Sequence, residues 1–391
     1  MPIADRILTT HVGSLPRPEP VIELLFSQDR GDERDPAIVD EVLQQGVNEV
    51  VRLQHDAGLD MVSDGEMSKI SYATYIRHRL TGFDGDSPRP TPQDLDDFPL
   101  LRDQLVSDRH SPTYRRPVCT GPIGIKDCAP LDRDIARLQR ALVESKATGS
   151  RAAAAFMTAV SPGTVGVFHP NQYYRSHEAY MHAIGAAMRT EYEEIVRAGF
   201  ILQIDCPDLA MGRHSRFKHL DDAQFLHCAE IHVDALNQAV ANIPADRMRM
   251  HVCWGNYEGP HTHDIPLAEI LPVVLRAKPS ALLIEGANPR HEHEWEIWSR
   301  YTLPDDKVLV PGVIDTSTNY VEHPELVAQR ITRFANILGR DRVMAGTDCG
   351  MGTFAGFGPV HPEIAWAKLR SLAIGAELAT TRLWKHAAAA V

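Results

Sequence analysis

RMRMHVCWGN (247–256), ALLIEGAN (281–288) and VMAGTDCG (343–350) each carry a short apolar run straight into a polar, chemically versatile end. Read as β-strands, they alternate side chains between two faces, so His251 and Cys253, two residues apart, project together. Such runs recur at 7–12, 59–63, 117–120, 156–160, 201–205, 248–254, 281–285, 308–314 and 343–347. Amphipathic helical patterns lie between them, as at 38–57, 178–198, 223–241, 267–277 and 324–338. A helix between successive strands predicts right-handed βαβ crossovers and a parallel sheet. About eight such units make a (β/α)8 TIM barrel, in the α/β class, the economical closure. Nine runs compete for eight places, and 117–120, which follows an irregular segment, is read as a peripheral hairpin. A doubly wound open sheet is the alternative, but the first turn, GSLPRP, is not the glycine-rich phosphate turn that fold usually shows. The Pro- and Asp-rich stretch 84–112 reads as a long excursion over one barrel face. With no repeat and no visible boundary, residues 1–391 are expected to form one catalytic domain with peripheral insertions.

Composition narrows the function classes. Apolar content of 43% and charged content of 24% are those of a soluble globular protein. A net charge of −12 with no long basic run argues against nucleic acid or an anionic membrane as partner. No apolar stretch approaches the ~20 residues of a membrane span. The start, MPIADRILTT, lacks a basic segment followed by an apolar one, so no signal peptide is expected. Six cysteines in this length do not suggest a disulfide framework. A cytoplasmic enzyme with free thiols is the expectation.

Barrel active sites lie at the C-terminal ends of the strands. Reading those ends gives 10–14 (THVGS), 64–66 (DGE), 161–164 (SPGT), Asp205, His251 with Cys253, Glu285, Asp315 and Asp348 with Cys349. Two sulfurs, an imidazole and a carboxylate suit a tetrahedral zinc, so His251, Cys253, Glu285 and Cys349 are the expected metal ligands. No local CxxC clip is present, so the site would exist only once the fold joins three strand ends; that points to a working metal. Cys119, Cys128, Cys206 and Cys228 are read as small core residues. His261 and His263 (GPHTHD) and His291 and His293 (RHEHEW) are read as solvated or capping residues. Asp315 either orients a catalytic group or caps the following helix.

Together these motifs resemble the C-terminal catalytic barrel of cobalamin-independent methionine synthase and its single-barrel relatives. Those relatives include the archaeal-type methionine synthases and epoxyalkane:coenzyme M transferase. The resemblance runs from TTHVGSLPRP at Thr9 to about Trp384, and its most specific elements are the HxC…E…C set and TTxxGSxPR. It implies zinc on His251, Cys253, Glu285 and Cys349, and an amino-acid thiol held by Ser14, Glu66 and Asp205, with Arg17 in the same turn. The family's D-x-H-S, whose histidine serves the folate proton, is Asp315-Thr316-Ser317-Thr318 here, leaving Asp315 and Ser317 as the catalytic candidates. QIDEP is QIDCP, with Cys206 for the glutamate, and TGPVTxLNW corresponds to SPGTVGVFH, with Phe168 and His169 near the tryptophan's place. The zinc and thiol half is thus retained, and the folate half is altered.

The expected reaction is zinc-dependent methyl or alkyl transfer to a small thiol, homocysteine being favoured. The donor could be a methylated folate, methylcobalamin on a partner protein, or an epoxide opened by coenzyme M. A sulfonate on that last thiol would need cations, for which Arg17, Arg213 and Arg290 are available. The competing expectations are a zinc hydrolase or lyase, disfavoured by a cysteine-rich four-ligand set, and a zinc-stabilised binding protein, which leaves Glu66 and Asp205 unexplained.

Overall fold

The strands are apolar on both faces because the parallel sheet they form is covered on one side by helices and filled on the other. In the computed structural model, which describes residues 5–88, 90–107, 114–147 and 152–388, nine strands are formed: β1 (Met61–Val62), β2 (Phe83–Asp84), β3 (Val118–Cys119), β4 (Ala154–Val160), β5 (Ile201–Asp205), β6 (Met248–Val252), β7 (Ala281–Ile284), β8 (Val308–Ile314) and β9 (Gly346–Thr347). Seven of them form one sheet in the order β1-β4-β5-β6-β7-β8-β9, parallel throughout. Residues 7–12 close the ring as its eighth staff. Thr10 N donates to Ala345 O and Ala345 N to Leu8 O, both at 2.9 Å, while Met61 N donates to Thr9 O at 3.0 Å. The expected barrel is therefore present. β2 and β3 pair antiparallel outside the ring, so the 117–120 run is the peripheral hairpin.

Inside the ring, Leu8, Met61, Phe156, Ile201, Leu283, Val310 and Met344 form a small apolar core distinct from the larger one beneath the helices. One cation sits above it. Arg249, fully buried, donates to Gln203 Oε1, Thr10 Oγ1 and His11 O, each at 2.7 Å, and its guanidinium lies 3.5 Å from the centre of the Phe156 ring. Burial lowers its pKa to about 9. Because β6 has a period of two, Arg249, His251 and Cys253 all point inward, and the residue that ties three strands together also sets the depth of the site.

The outer helices start where the sequence supplies caps. Ser176 opens His177–Arg197, and Asp221 and Gln224 make a reciprocal capping box on Asp222–Ala239. Between β2 and β3 the chain forms two short helices, Gln93–Asp97 and Pro99–Ser107. Asp94 anchors the first across the barrel mouth, accepting from Tyr257 Oη at 2.7 Å and from His261 N at 2.8 Å. No helix among the described residues is long and apolar enough to cross a membrane.

Candidate active site

His251, Cys253 and Cys349 meet at the C-terminal mouth of the ring, their ligand atoms all within 4.8 Å of one another. His251 Nε2 lies 3.3 Å from Cys349 Sγ, and the ring's Nδ1 is buried without a hydrogen-bond partner. The hydrogen bond from Cys349, helped by the His251 imidazole, holds the Cys253 thiol far below its ordinary pKa. That shared proton pushes Cys349 correspondingly up. Burial opposes a charge on His251, but the Cys253 sulfur outweighs it and the imidazole pKa rises.

Glu285 stands at the edge of this group rather than within it. Its Oε1 accepts from Trp254 N at 2.9 Å, next to Cys253, and its Oε2 accepts from Asn288 Nδ2 at 2.7 Å and Arg290 Nη2 at 2.9 Å. Burial raises its pKa to about 7. Asp348 builds the loop that carries it, accepting from Gly286 N, Ala287 N and both nitrogens of Asn288 at 2.8–2.9 Å. One aspartate beside Cys349 thus registers the β7 end against the β9 end.

Across the mouth lie the two carboxylates expected to meet substrate. Glu66 takes a left-handed backbone, φ 60°, which a side chain other than glycine adopts at a cost. Its Oε1 accepts from Thr158 Oγ1 at 2.7 Å, and Thr158 in turn accepts from Lys69 Nζ at 2.9 Å. Oε2 is buried with no hydrogen-bond partner. Asp205 accepts from Gln203 Nε2 at 2.8 Å, and burial together with Glu66 raises its pKa to about 7. Ser14 follows Gly13, which holds φ 137°, and a Cβ on Gly350 would run into Ser14 Oγ. His11 supports this turn: Gly13 N donates to its Nδ1 at 3.1 Å while its Nε2 lies 2.8 Å from Gln54 Oε1. Those two partners assign a neutral ring with the proton on Nε2.

Ser14, Glu66, Asp205, His251, Cys253 and Cys349 all line one cavity of about 560 Å³. Its outer walls are Tyr72, Leu95, Leu105, Phe168, Met211, Phe354 and Phe357, two of them from the helices that cross the mouth. The stretch 84–112 is therefore a cover, as far as its described residues go. A more open groove of about 780 Å³ beside Phe26 and Arg30 holds none of these residues.

Three expected residues are elsewhere. Arg17 donates to backbone, to Glu66 O at 3.0 Å and Gly352 O at 2.5 Å, and its guanidinium lies 3.9 Å from Glu66 Oε2, so it fixes the Glu66 loop from behind and does not line the cavity. Asp315 accepts from Ser317 N at 3.0 Å, Ser317 Oγ at 2.7 Å and Thr318 Oγ1 at 2.5 Å, closing its own turn; neither it nor Ser317 reaches the cavity. The solvated reading of the loop histidines needs correction. His261 and His291 are buried beside Asp264, and only His263 and His293 keep exposed surface. Sequence reading also passed over Tyr72, His214, Asn256 and Arg249. Only Arg249 had left a signal, a charge inside an apolar run and in phase with His251.

Residues 125–358 match the family model described as cobalamin-independent synthase, catalytic domain. This chain belongs to that family. It is 24% identical to a methionine synthase from Saccharolobus solfataricus over 382 residues, covering 96% of this chain and 95% of the relative. A methionine synthase from Sulfolobus acidocaldarius is 22% identical over 346 residues, with coverages of 88% and 85%. Among solved structures, a B12-independent methionine synthase from Shewanella sp. W3-18-1 in complex with selenomethionine superposes with a TM-score of 0.73 at 19% identity, covering 97% and 99% of the two chains. A putative vitamin-B12-independent methionine synthase from Listeria monocytogenes gives 0.64 at 18% identity, covering 95% and 99%. At these identities the superpositions speak for the fold.

Proposed function

We propose that this chain is a zinc-dependent transferase that moves a methyl or larger alkyl group onto the sulfur of a small amino-acid thiol of the homocysteine type. The observation that carries the reading is the division of one cavity into a thiol-and-imidazole cluster and two carboxylates, Glu66 and Asp205, of which Glu66 keeps a buried oxygen with no hydrogen-bond partner. Family membership and relatives named methionine synthase support the same reaction class.

The donor set suits the metal. Two buried cysteines and a buried histidine with an unpartnered nitrogen are soft and borderline ligands of the kind zinc takes. His251, Cys253 and Cys349 would hold the ion, with Glu285 as fourth donor. Three hydrogen bonds onto Glu285 draw off its electron density, which makes it the weakest of the four. Bound zinc would supply a Lewis acid that keeps a substrate thiol deprotonated near neutral pH, where a free thiol, with a pKa of ~8.5, is mostly protonated.

The remaining work falls to the chain. Glu66 Oε2 and Asp205 receive the substrate ammonium group, and the Lys69–Thr158 pair fixes Glu66 from behind. The aromatic outer wall, roofed by the 93–107 helices, excludes water and orients the donor, which is what a displacement at carbon needs. This arrangement favours an ammonium-bearing thiol over a sulfonate. Arg17, Arg213 and Arg290 do not line the cavity; they are engaged by backbone carbonyls, Asp222 and Glu285. Arg116, which does line it, packs over Phe168 and donates to Phe168 O.

The test is a transfer assay on zinc-loaded protein with homocysteine and a panel of methyl and alkyl donors. S-alkylated homocysteine is expected, in an amount that falls with chelation. Turnover of any of these donors at full rate with no thiol added would overturn the proposal in favour of hydrolysis.

A further inference from the structure

Outside the thiol cluster, a second group of ligating side chains converges in the interior. His214 ends the short helix Met211–His214, and His261 and Asp264 lie in the loop after β6. Their ligand atoms all fall within 4.8 Å of one another. We infer that His214, His261 and Asp264 form a second metal site, built for a divalent first-row transition ion with nitrogen and oxygen ligands. It is independent of the reaction proposed above.

Three observations carry the assignment. First, His214 Nδ1 is 2.9 Å from Asp264 Oδ1, yet the two are not aligned as a hydrogen bond, and neither ring nitrogen of this buried histidine has a hydrogen-bond partner. A buried imidazole so close to a carboxylate with no hydrogen bond from either nitrogen is left free to take a metal ion. Ligand bonds of about 2.1 Å at angles of 90–109° separate neighbouring donor atoms by about 3.0–3.4 Å. The spacings here are 2.9 Å for His214 and 3.1 Å for His261 Nδ1.

Second, the His261 ring is braced as a ligand is. The far nitrogen of His261, Nε2, lies 3.2 Å from Tyr257 O, and a proton held there leaves the Nδ1 lone pair facing Asp264. A metal ion at the site would take that lone pair; in its absence a proton on Nδ1 makes the 3.1 Å contacts to Asp264 Oδ1 and Oδ2 a hydrogen bond, which the ion would replace. Third, the carboxylate is held in place by groups outside the trio. Oδ1 faces His214 and both oxygens lie 3.1 Å from His261 Nδ1, while Oδ2 also meets His291 Nε2 at 3.1 Å and lies 3.8 Å from Arg290 Nη1. His291 and Arg290 therefore fix the position of Asp264. Arg290 also binds Glu285, and His214 lines the 560 Å³ cavity, so the ion would stand at the wall of the cavity that the thiol cluster also lines.

The experiment is a titration of chelator-treated full-length protein with Co2+, followed by absorbance. Two equivalents are expected: one with the strong near-ultraviolet bands of thiolate-to-cobalt charge transfer, one with weak visible bands alone. His214→Ala and Asp264→Asn should each remove the second equivalent and leave the first, and Cys349→Ser should do the reverse. Binding of one equivalent only to the wild-type protein overturns the second site. So does a second equivalent that persists in both His214→Ala and Asp264→Asn. Since the first outcome is read on wild-type protein, misfolding of a variant does not rescue the proposal, and failure of the transferase assay does not touch it.

Discussion

Two clusters of three metal-capable side chains share this barrel mouth, and they are built on different kinds of backbone. His251, Cys253 and Cys349 stand on or just beyond strand ends, where a period of two fixes which way each side chain points. His214, His261 and Asp264 come from a four-residue helix and an irregular loop in which His261 holds φ 52°. The first cluster is set by the ring itself, through Arg249 below and Asp348 beside it. The second depends on side chains clasping one another, with Tyr257, Asp94 and His291 around it. The contrast separates a site that the fold imposes from one that local contacts assemble.

The sharpest way to break the comparison is at the strand-end cluster. Cys253→Ser or Cys349→Ser should abolish zinc retention and lower transfer on the order of 10³-fold, since a Lewis acid supplies several kcal/mol. Metal analysis beside the activity assay checks that the two losses occur together. Glu66→Gln should cost about 1.5–3 kcal/mol, the usual range for a hydrogen bond to a charged group, or roughly 10–100-fold in kcat/KM. Repeating the assay with a thiol lacking the amino group sharpens this prediction, because the penalty should then largely disappear.

A smaller effect concerns the support of the Ser14 turn. Burial first, and Arg249 second, lower the His11 pKa to about 3. A histidine depressed in the folded state contributes stability that is complete above its unfolded value near 6.5 and is lost as the pH falls toward 3. Over that window the slope from this one group is at most ~1.36 kcal/mol per pH unit. His11→Asn keeps a donor and an acceptor but does not titrate, so its unfolding free energy should fall less steeply between pH 6.5 and 4 in urea denaturation. Smallest of all, Ser317→Ala should leave kcat/KM within about 2-fold and cost about 1 kcal/mol, the value of one lost hydrogen bond. A large loss of kcat there would restore Ser317 to the catalytic machinery.

The same contrast explains what could be read in the sequence. Strand runs with buried faces, polar ends and even spacing made the barrel, the His251–Cys253 phase and the placement of Glu66, Asp205 and Cys349 legible before any coordinates. The 117–120 run was separable because an irregular segment precedes it. Asp315 looked like an active-site acid because it ends a strand, but whether a strand-end aspartate faces the mouth or closes its own turn is decided by the next three residues. Their hydroxyls, at Ser317 and Thr318, take it up locally. Arg17 misled for a similar reason: its neighbourhood offered two carbonyls as partners, and carbonyls have no signature in sequence. The burial of His261 and His291 was invisible because no periodicity governs their loops. The Asp264 that gathers them is 27 residues from His291 and 50 from His214.

The central claim is that the strand-end cluster activates a thiol from outside the chain. Zinc K-edge absorption on the purified protein, recorded alone and with homocysteine, tests it most directly. The account predicts a resting shell with two sulfurs from Cys253 and Cys349 that gains a third when homocysteine is added. A shell without sulfur, or one with two sulfurs that homocysteine leaves unchanged, would contradict it.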